Sequence, residues 1–334
     1  MRFVVHTPML NGDDSVLSLI DRLIDRLSDE VHLVDLTDVD LLQESSWYQR
    51  ARPWRKKVLM SAVSKPPRLA KSGSGPHVKT VEVLDAESAR LADRLAHTPL
   101  VILVEDRESD GVLLDIIVEE LGWPELKTLW VNGRQVTPRA TKVETAGGKD
   151  AIPQRVARAI SEAAEENRPH RLFVLCDSDA KWPGDDNAQL ERAIIAVRES
   201  CVNHDVPYHV WQKRCAENYI PDQVFEAVRK DARNLSNAAR FNALLGRTRA
   251  QRDHFPIKDG LTASERSEAL QKGLYNTSEE QDLKLLEERL FPKRPRPMLQ
   301  LNNERRESFT ADGLRARDGK GELDDLIGAI AQEL

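Results

Sequence analysis

The chain is expected to fold as an α/β protein: a mostly parallel sheet with helices on both faces, a small N-terminal α/β lobe and a helical C-terminal region. Three observations lead there. Between residues 98 and 212, short apolar runs alternate with helical stretches, the pattern of strands and crossover helices in a parallel sheet. Two of these runs, Pro99 to Val104 and Leu172 to Cys176, end abruptly in acids. The last third is helix-patterned and polar, with amphipathic runs at 224–228, 280–290 and 323–334 and a break at Pro292-Lys-Arg-Pro-Arg-Pro297.

In chain order, residues 2–7 and 31–36 read as strands around a helix over 14–27. Its apolar positions Val16, Leu17, Leu19, Ile20, Leu23, Ile24 and Leu27 keep helical spacing, and residues 1–44 are assigned to the small lobe. From Ser45 to Val81 there is no acidic residue. Arg50, Arg52, Arg55, Lys56, Lys57, Lys65, Arg68, Lys71 and Lys79 are interleaved there with Trp47, Tyr48 and Trp54, and broken by Pro66-Pro67 and Ser72–Pro76. Residues 45–97 are therefore read either as a solvated linker or as an arm. An arm would track phosphates with Arg55, Lys56 and Lys57 and stack bases on its aromatics. Residues 98–215 follow, with strands expected at 100–104, 128–131, 141–145, 172–176 and 208–211 and helices at 109–121, 151–166 and 188–202. Residues 216–334 are expected to be helical and to complete the site.

Composition narrows the class. A chain of 334 residues with 40% hydrophobic content can bury a proper core. The net charge of −6 gives no global attraction to nucleic acid, so such binding has to come from local patches. Cys176, Cys201 and Cys215 are odd in number and in no metal-binding pattern, which argues for a reducing compartment and against a disulfide framework. No apolar stretch approaches the ~18 residues of a membrane span, so a soluble cytoplasmic protein is expected.

The chemistry concentrates at the strand ends. In an open parallel sheet, ligands bind outside the carboxyl ends of the strands, which is where Glu105 and the pair Asp177 and Asp179 fall. Each acid has an ordinary reading as a cap of the following helix. Several carboxylates converging on one point would repel unless a hard cation sat between them. Mg²⁺, or Mn²⁺, suits such oxygens and can activate water and stabilise the leaving oxygen of a phosphodiester. Gly147 and Gly148 read as a tight turn or as backbone kept bare for phosphate. Ser109 reads as a helix cap, Glu217 as a site acid or a surface residue, and Lys258 as a loop lysine. His204, His209 and His254 lack metal-ligand spacing and default to structural roles, with His254 beside the Lys258 segment.

Together these pieces resemble a family. Val104-Glu105-Asp106-Arg-Glu108-Ser109-Asp110-Gly looks like the opening strand-acid-helix motif of Toprim domains, shared by topoisomerases, bacterial primases and the overcoming-lysogenization-defect nucleases. Val143-Glu-Thr-Ala-Gly147-Gly148-Lys149-Asp150 is similar to the glycine-bearing second turn, and Leu175-Cys-Asp177-Ser-Asp179 to the Asp-x-Asp motif. Arg214-Cys-Ala-Glu217-Asn218-Tyr219 and His254-Phe-Pro-Ile-Lys258-Asp259-Gly260 resemble segments of the OLD-like and PARIS-like defence nucleases. The resemblance covers roughly residues 98–262 and is specific only as an ordered set.

The resemblance implies that Glu105, Asp177 and Asp179 hold metal, with Asp110 or Glu108 adding a carboxylate, and that Lys258 stabilises charge on the phosphate. It implies that Gly147, Gly148 and Lys149 face nucleic acid. Glu105 and Asp110 are five apart where the family has four, and Asp106 replaces a glycine. Which of Glu105, Asp106, Glu108 and Asp110 points inward is thus left open.

The activity implied is a metal-dependent Toprim endonuclease acting on DNA, with RNA, including tRNA, as the second substrate class, in antiviral defence. Gly-x-x-x-x-Gly-Lys-Ser/Thr does not occur in the sequence, so an ATPase or sensor would be a separate partner, as in PARIS. A second copy of the chain is a further expected partner, and a membrane is not. Two alternatives stand beside this: a haloacid-dehalogenase-type phosphatase, which also places Asp-x-Asp after an apolar strand, and a non-catalytic Toprim-like binding module. Topoisomerase activity is disfavoured because no companion domain is long enough to gate a strand.

Overall fold

The computed structural model describes residues 1–64, 79–185, 188–230, 235–291 and 297–334. Among the described residues, seven strands form two sheets, both wholly parallel: β1 (Arg2–Val5), β2 (Leu33–Leu36) and β3 (Thr80–Val83) in one, β4 (Leu100–Val104), β5 (Thr141–Thr145), β6 (Leu172–Cys176) and β7 (Tyr208–Val210) in the other. Their orders are β2-β1-β3 and β5-β4-β6-β7. The architecture is α/β with a helical C-terminal region.

The second sheet is covered on both faces because its strands are apolar on both. Leu100, Ile102 and Val104 of β4, with Phe173 and Leu175 of β6, join a core built with the C-terminal helices, including Leu323, Ile327 and Ile330 of the helix Glu322–Glu333. The alternate residues Leu103, Leu172, Val174 and Cys176 face Ile152, Val156, Val197 and Cys201 on the opposite side. Each fully buried Leu or Ile there contributes roughly 1.5–3 kcal/mol. Residues 216–334 thus close one face of the sheet and share its core.

Two sequence expectations change. Residues 128–131 are not a strand but the middle of the helix Pro124–Gln135. Pro124 sits in the first turn, where its missing N–H costs nothing, and Leu126, Leu129 and Trp130 are buried at helical spacing. The N-terminal lobe also does not end at 44. Strand β3 pairs with β1, and Ala89, Ala92 and Ala96 of the helix Ala86–His97 pack into the lobe's core with Trp47 and Leu59. The lobe therefore runs to residue 97, because a two-stranded sheet with one helix could not bury its apolar face.

The basic segment is accordingly only partly an arm. Its first part forms the helices Ser46–Arg50 and Pro53–Val63, anchored by buried Trp47, whose indole donates to Asp21 at 2.9 Å. Residues 65–78, which carry Lys65, Arg68 and Lys71, lie outside the described residues, as does most of the break at 292–297.

Candidate active site

The path of the chain makes a crevice. From β4 it crosses to β5 on one side, then returns to β6 on the other, so β4 and β6 are neighbours whose following loops diverge. Crevices at such switch points are the usual ligand sites of open parallel sheets. Glu105 follows β4 and Asp177 follows β6, and the Glu105 carboxylate accepts a hydrogen bond from the Asp177 backbone N–H at 2.7 Å.

Glu105 leads into a π-helical turn, Arg107–Gly111. A π turn takes one residue more than an α turn, which absorbs the five-residue spacing and swings Asp110 into the interior. Asp110 is fully buried, and its Oδ2 accepts from the Asp106 N–H at 3.0 Å. Asp106 caps the turn by accepting from the Glu108 N–H at 2.9 Å, and Glu108 is exposed. The inward acids are therefore Glu105 and Asp110. Ser109 is not the cap that the sequence suggests. It is buried and donates to Glu217 at 2.6 Å.

Glu217 is the residue whose importance the sequence left open. It sits in the short turn Ala216–Tyr219, fully buried. Asn218 fixes that turn: its Oδ1 accepts from the Cys215 N–H at 2.9 Å, and its amide donates to the carbonyls of Arg252 and Phe255 at 2.7 and 2.8 Å. Those carbonyls lie at the start of the loop carrying Lys258. Phe255 and Ile257 anchor the loop in the core. Gly260, at φ 76°, lets it turn where a Cβ would lie 2.9 Å from the Glu287 carbonyl oxygen.

Lys258 is thereby delivered to the crevice, its Nζ 3.2 Å from Glu217 and 3.6 Å from Asp177. The Asp177 carboxylate also accepts from the Ala216 N–H at 3.1 Å. Burial pushes the Asp177 carboxyl well above its usual range, with Asp110 adding to the rise and Lys258 opposing it. Burial likewise lifts Asp110, to about 7. Burial also works to raise Glu217, but Lys258 and the hydrogen bond from Ser109 outweigh it and hold this carboxyl below its usual value. The Lys258 ammonium would be weakened by burial, yet Glu217 and Asp177 together hold it well above an ordinary lysine.

A second ammonium lies at the outer edge. Gly147 and Gly148 take φ of 89° and 117°, with nothing within 4 Å of where a Cβ would be, so bare backbone faces open space. The turn folds Lys149 inward rather than toward a ligand. It is buried, and its Nζ pairs with Asp179 at 2.5 Å and lies 3.9 Å from Glu105. This corrects the expectation that Lys149 faces nucleic acid: two carboxylates close by outcompete solvent for the ammonium. Asp179 itself, at φ 54°, is 41% exposed and belongs to this outer pair. The His254 Nδ1–H donates to the Ala180 carbonyl, 2.9 Å away, and so packs the loop after Asp179.

Arg55, Lys56 and Lys57 are in the other lobe. Arg55 is held by Asp21 at 2.6 Å and by both oxygens of Asp25 at 2.8 Å, so its charge is paired within the fold. Lys56 lies over the Tyr48 ring at 4.8 Å, and Lys57 is exposed.

Among the described residues, no three His, Cys, Asp or Glu side chains stand at the spacing of a ready-made metal cage. The carboxylates are instead bridged by ammonium groups. The donor set still fits a hard cation: among the described residues, Lys149 and Lys258 are the cations paired with Glu105, Asp177, Asp179 and Glu217, and the buried Asp110 Oδ1 has no hydrogen-bond partner. The chain matches no family model, no curated protein and no solved structure, so the reading of this crevice rests on its own chemistry.

Proposed function

We propose that this chain is a metal-dependent endonuclease that hydrolyses nucleic acid phosphodiesters, an effector of antiviral defence controlled by a separate ATPase or sensor. The observation that carries the reading is the convergence of Glu105, Asp110, Asp177 and Glu217 on Lys258 in the crevice between β4 and β6. A surplus of buried carboxylates is costly in an apo fold. It is intelligible where a divalent cation completes the charge balance.

Glu105, Asp110, Asp177 and Asp179 would hold Mg²⁺ or Mn²⁺, with Glu217 beside them, and the ion would supply an activated water and a stabilised leaving oxygen. The chain's own contribution is placement. Asn218 and Ser109 fix Glu217, Glu217 and Asp177 fix the Lys258 ammonium, and Lys258 is positioned to offset charge developing on a phosphate. The open backbone at Gly147 and Gly148 supports close approach of the strand. The Toprim-like order of these motifs supports the defence role, and the absence of a P-loop motif from the sequence supports a separate ATPase.

The test is cleavage of plasmid, linear DNA and tRNA with Mg²⁺, Mn²⁺ or chelator, with and without a candidate ATPase partner. Cleavage that chelator stops, and that Glu105→Gln removes, is the expected result. Metal-dependent release of phosphate from small monoesters with intact polynucleotide would replace this reading with the phosphatase.

A further inference from the structure

Away from the acid crevice, a cavity of about 130 Å³ is walled by Asp222, Gln223, Arg249, Arg252 and Arg317. It lies where the helices Asp222–Lys230, Arg249–Asp253 and Ala311–Asp318 meet. Gly313 makes room for one wall, since a Cβ there would lie 1.7 Å from the Gln223 amide nitrogen.

The charges around this cavity do not balance. Arg252 pairs with Asp222, and Asp253 serves Arg317 at 2.5 Å and Lys213 at 3.1 Å. Arg249 is left with Asp253 at 3.9 Å and with backbone carbonyls, that of Arg317 at 2.7 Å and that of Asp318. Three guanidinium groups thus line the cavity with one carboxylate, Asp222, while Asp253 and the buried Asp318 also serve Lys213, and among the described residues the Arg252 Nε has no hydrogen-bond partner. The surplus is felt by Lys213, whose ammonium is pushed down to about 7, by burial first and then by Arg317.

Size and chemistry select the occupant. At about 30 Å³ per water, the cavity has room for a tetrahedral oxyanion with part of its hydration. Guanidinium groups present paired donors that match phosphate oxygens, and such charge-assisted bonds are about twice as strong as neutral ones. We propose that this cavity binds a phosphoryl group, at a site distinct from the acid crevice. Arg249 and Arg252 are its principal donors, and Asp222 is the carboxylate that the ligand displaces. The cavity is linked to the crevice through Arg252, whose carbonyl accepts from the Asn218 amide beside Glu217.

The phosphoryl group belongs either to a free phosphate or nucleotide or to a nucleic acid strand, and competition separates the two. Calorimetric titration of the full chain with inorganic phosphate, in chelator and against chloride of equal ionic strength, should show saturable binding. Arg249→Gln should weaken it by about tenfold, and Asp222→Asn, which frees Arg252, should tighten it. These opposite signs cannot both arise from misfolding. Arg315→Gln, on an exposed face of the helix Ala311–Asp318, should change nothing. A short single strand bearing a 5′-phosphate that competes, where its unphosphorylated form does not, assigns a strand end. Equal competition by both assigns the backbone, and competition by neither assigns a free phosphate. Absence of saturable phosphate binding, or equal affinity in the wild type, Arg249→Gln and Asp222→Asn, overturns the proposal. No step of this test reads cleavage, so its failure leaves the nuclease reading standing, and the converse holds as well.

Discussion

The two parallel sheets of the described residues share the same kind of switch, β2-β1-β3 and β5-β4-β6-β7, and so make two crevices of the same topological origin. At the first, His6 meets Glu82 at 2.8 Å in an exposed pair, Thr7 is hydrogen-bonded to Thr37 and to the Asp38 carbonyl, and Asp85 caps the next helix through the Ser88 N–H. Every one of these groups is paired. At the second, Asp110, Asp177 and Glu217 are buried around one lysine, and a carboxylate oxygen is left unsatisfied. Topology supplies the crevice, and buried charge that the fold does not neutralise is what distinguishes a candidate site from an ordinary loop cluster.

The comparison is most sharply tested by Asp177→Ala, expected to abolish nucleic acid cleavage while circular dichroism stays native, whereas Glu82→Gln at the first crevice should leave cleavage unchanged. Equal losses in both variants would break the distinction. Lys258→Met comes next, with turnover falling about 100- to 1,000-fold and affinity less. It should also cost roughly 3 kcal/mol of stability, because Glu217 and Asp177 lose their buried partner. The folded pKa of Glu217 lies below its unfolded value, so the stabilisation from this pair is present above the unfolded pKa and disappears as pH falls through the folded one. Urea unfolding near pH 7 and near pH 3 reads that difference.

Asp110 has the opposite sign. Its carboxyl is raised to about 7, against about 3.9 when unfolded, so the folded state binds the extra proton between those values. Stability should therefore fall as pH rises from about 4 to about 7. In chelator, Asp110→Asn should gain on the order of 1–3 kcal/mol over the native chain near pH 8 and nothing near pH 4. A parallel pH dependence in the two proteins would show that the burden lies elsewhere. The smallest expected effect is in the N-terminal lobe. Arg55→Ala should destabilise it by about 1 kcal/mol, since its fork on Asp21 and Asp25 is only partly buried, whereas Lys57→Ala should be neutral. If instead Arg55→Ala weakens DNA binding without changing stability, the lobe carries the nucleic acid interface.

Much of this was legible in the chain. The apolar runs that became β4 and β6, the acids that end them and the helix Asp14–Ser28 follow from local pattern, because a strand buried on both faces has to be apolar throughout and a polar residue marks its exit. Lys258 and Glu217 were not legible from local pattern. They stand 81 and 40 residues beyond Asp177, and a lysine between Ile257 and Asp259 carries no signal of what it will meet. Their only sequence signal lay in the ordered resemblance of the surrounding segments. Residues 128–131 misled for a related reason, since a few apolar residues fit a strand or a helix equally until Pro124 is seen to open a helix. Thr80–Val83 was hidden in a basic stretch, because edge strands of a small sheet need little apolar character.

The sequence by itself determined the class of the protein, the positions of the strand ends and the supply of carboxylates there, since these depend on periodicity and residue type along a few neighbouring positions. Only the tertiary structure decided how those charges are shared. It turned Asp110 inward through the π turn, gave Lys149 to Glu105 and Asp179, gave Arg55 to Asp21 and Asp25, and set Lys258 between Asp177 and Glu217. The physical reason is that charge pairing depends on distances of a few ångströms and on exclusion of water, and both are fixed by which distant segments the packed core brings together.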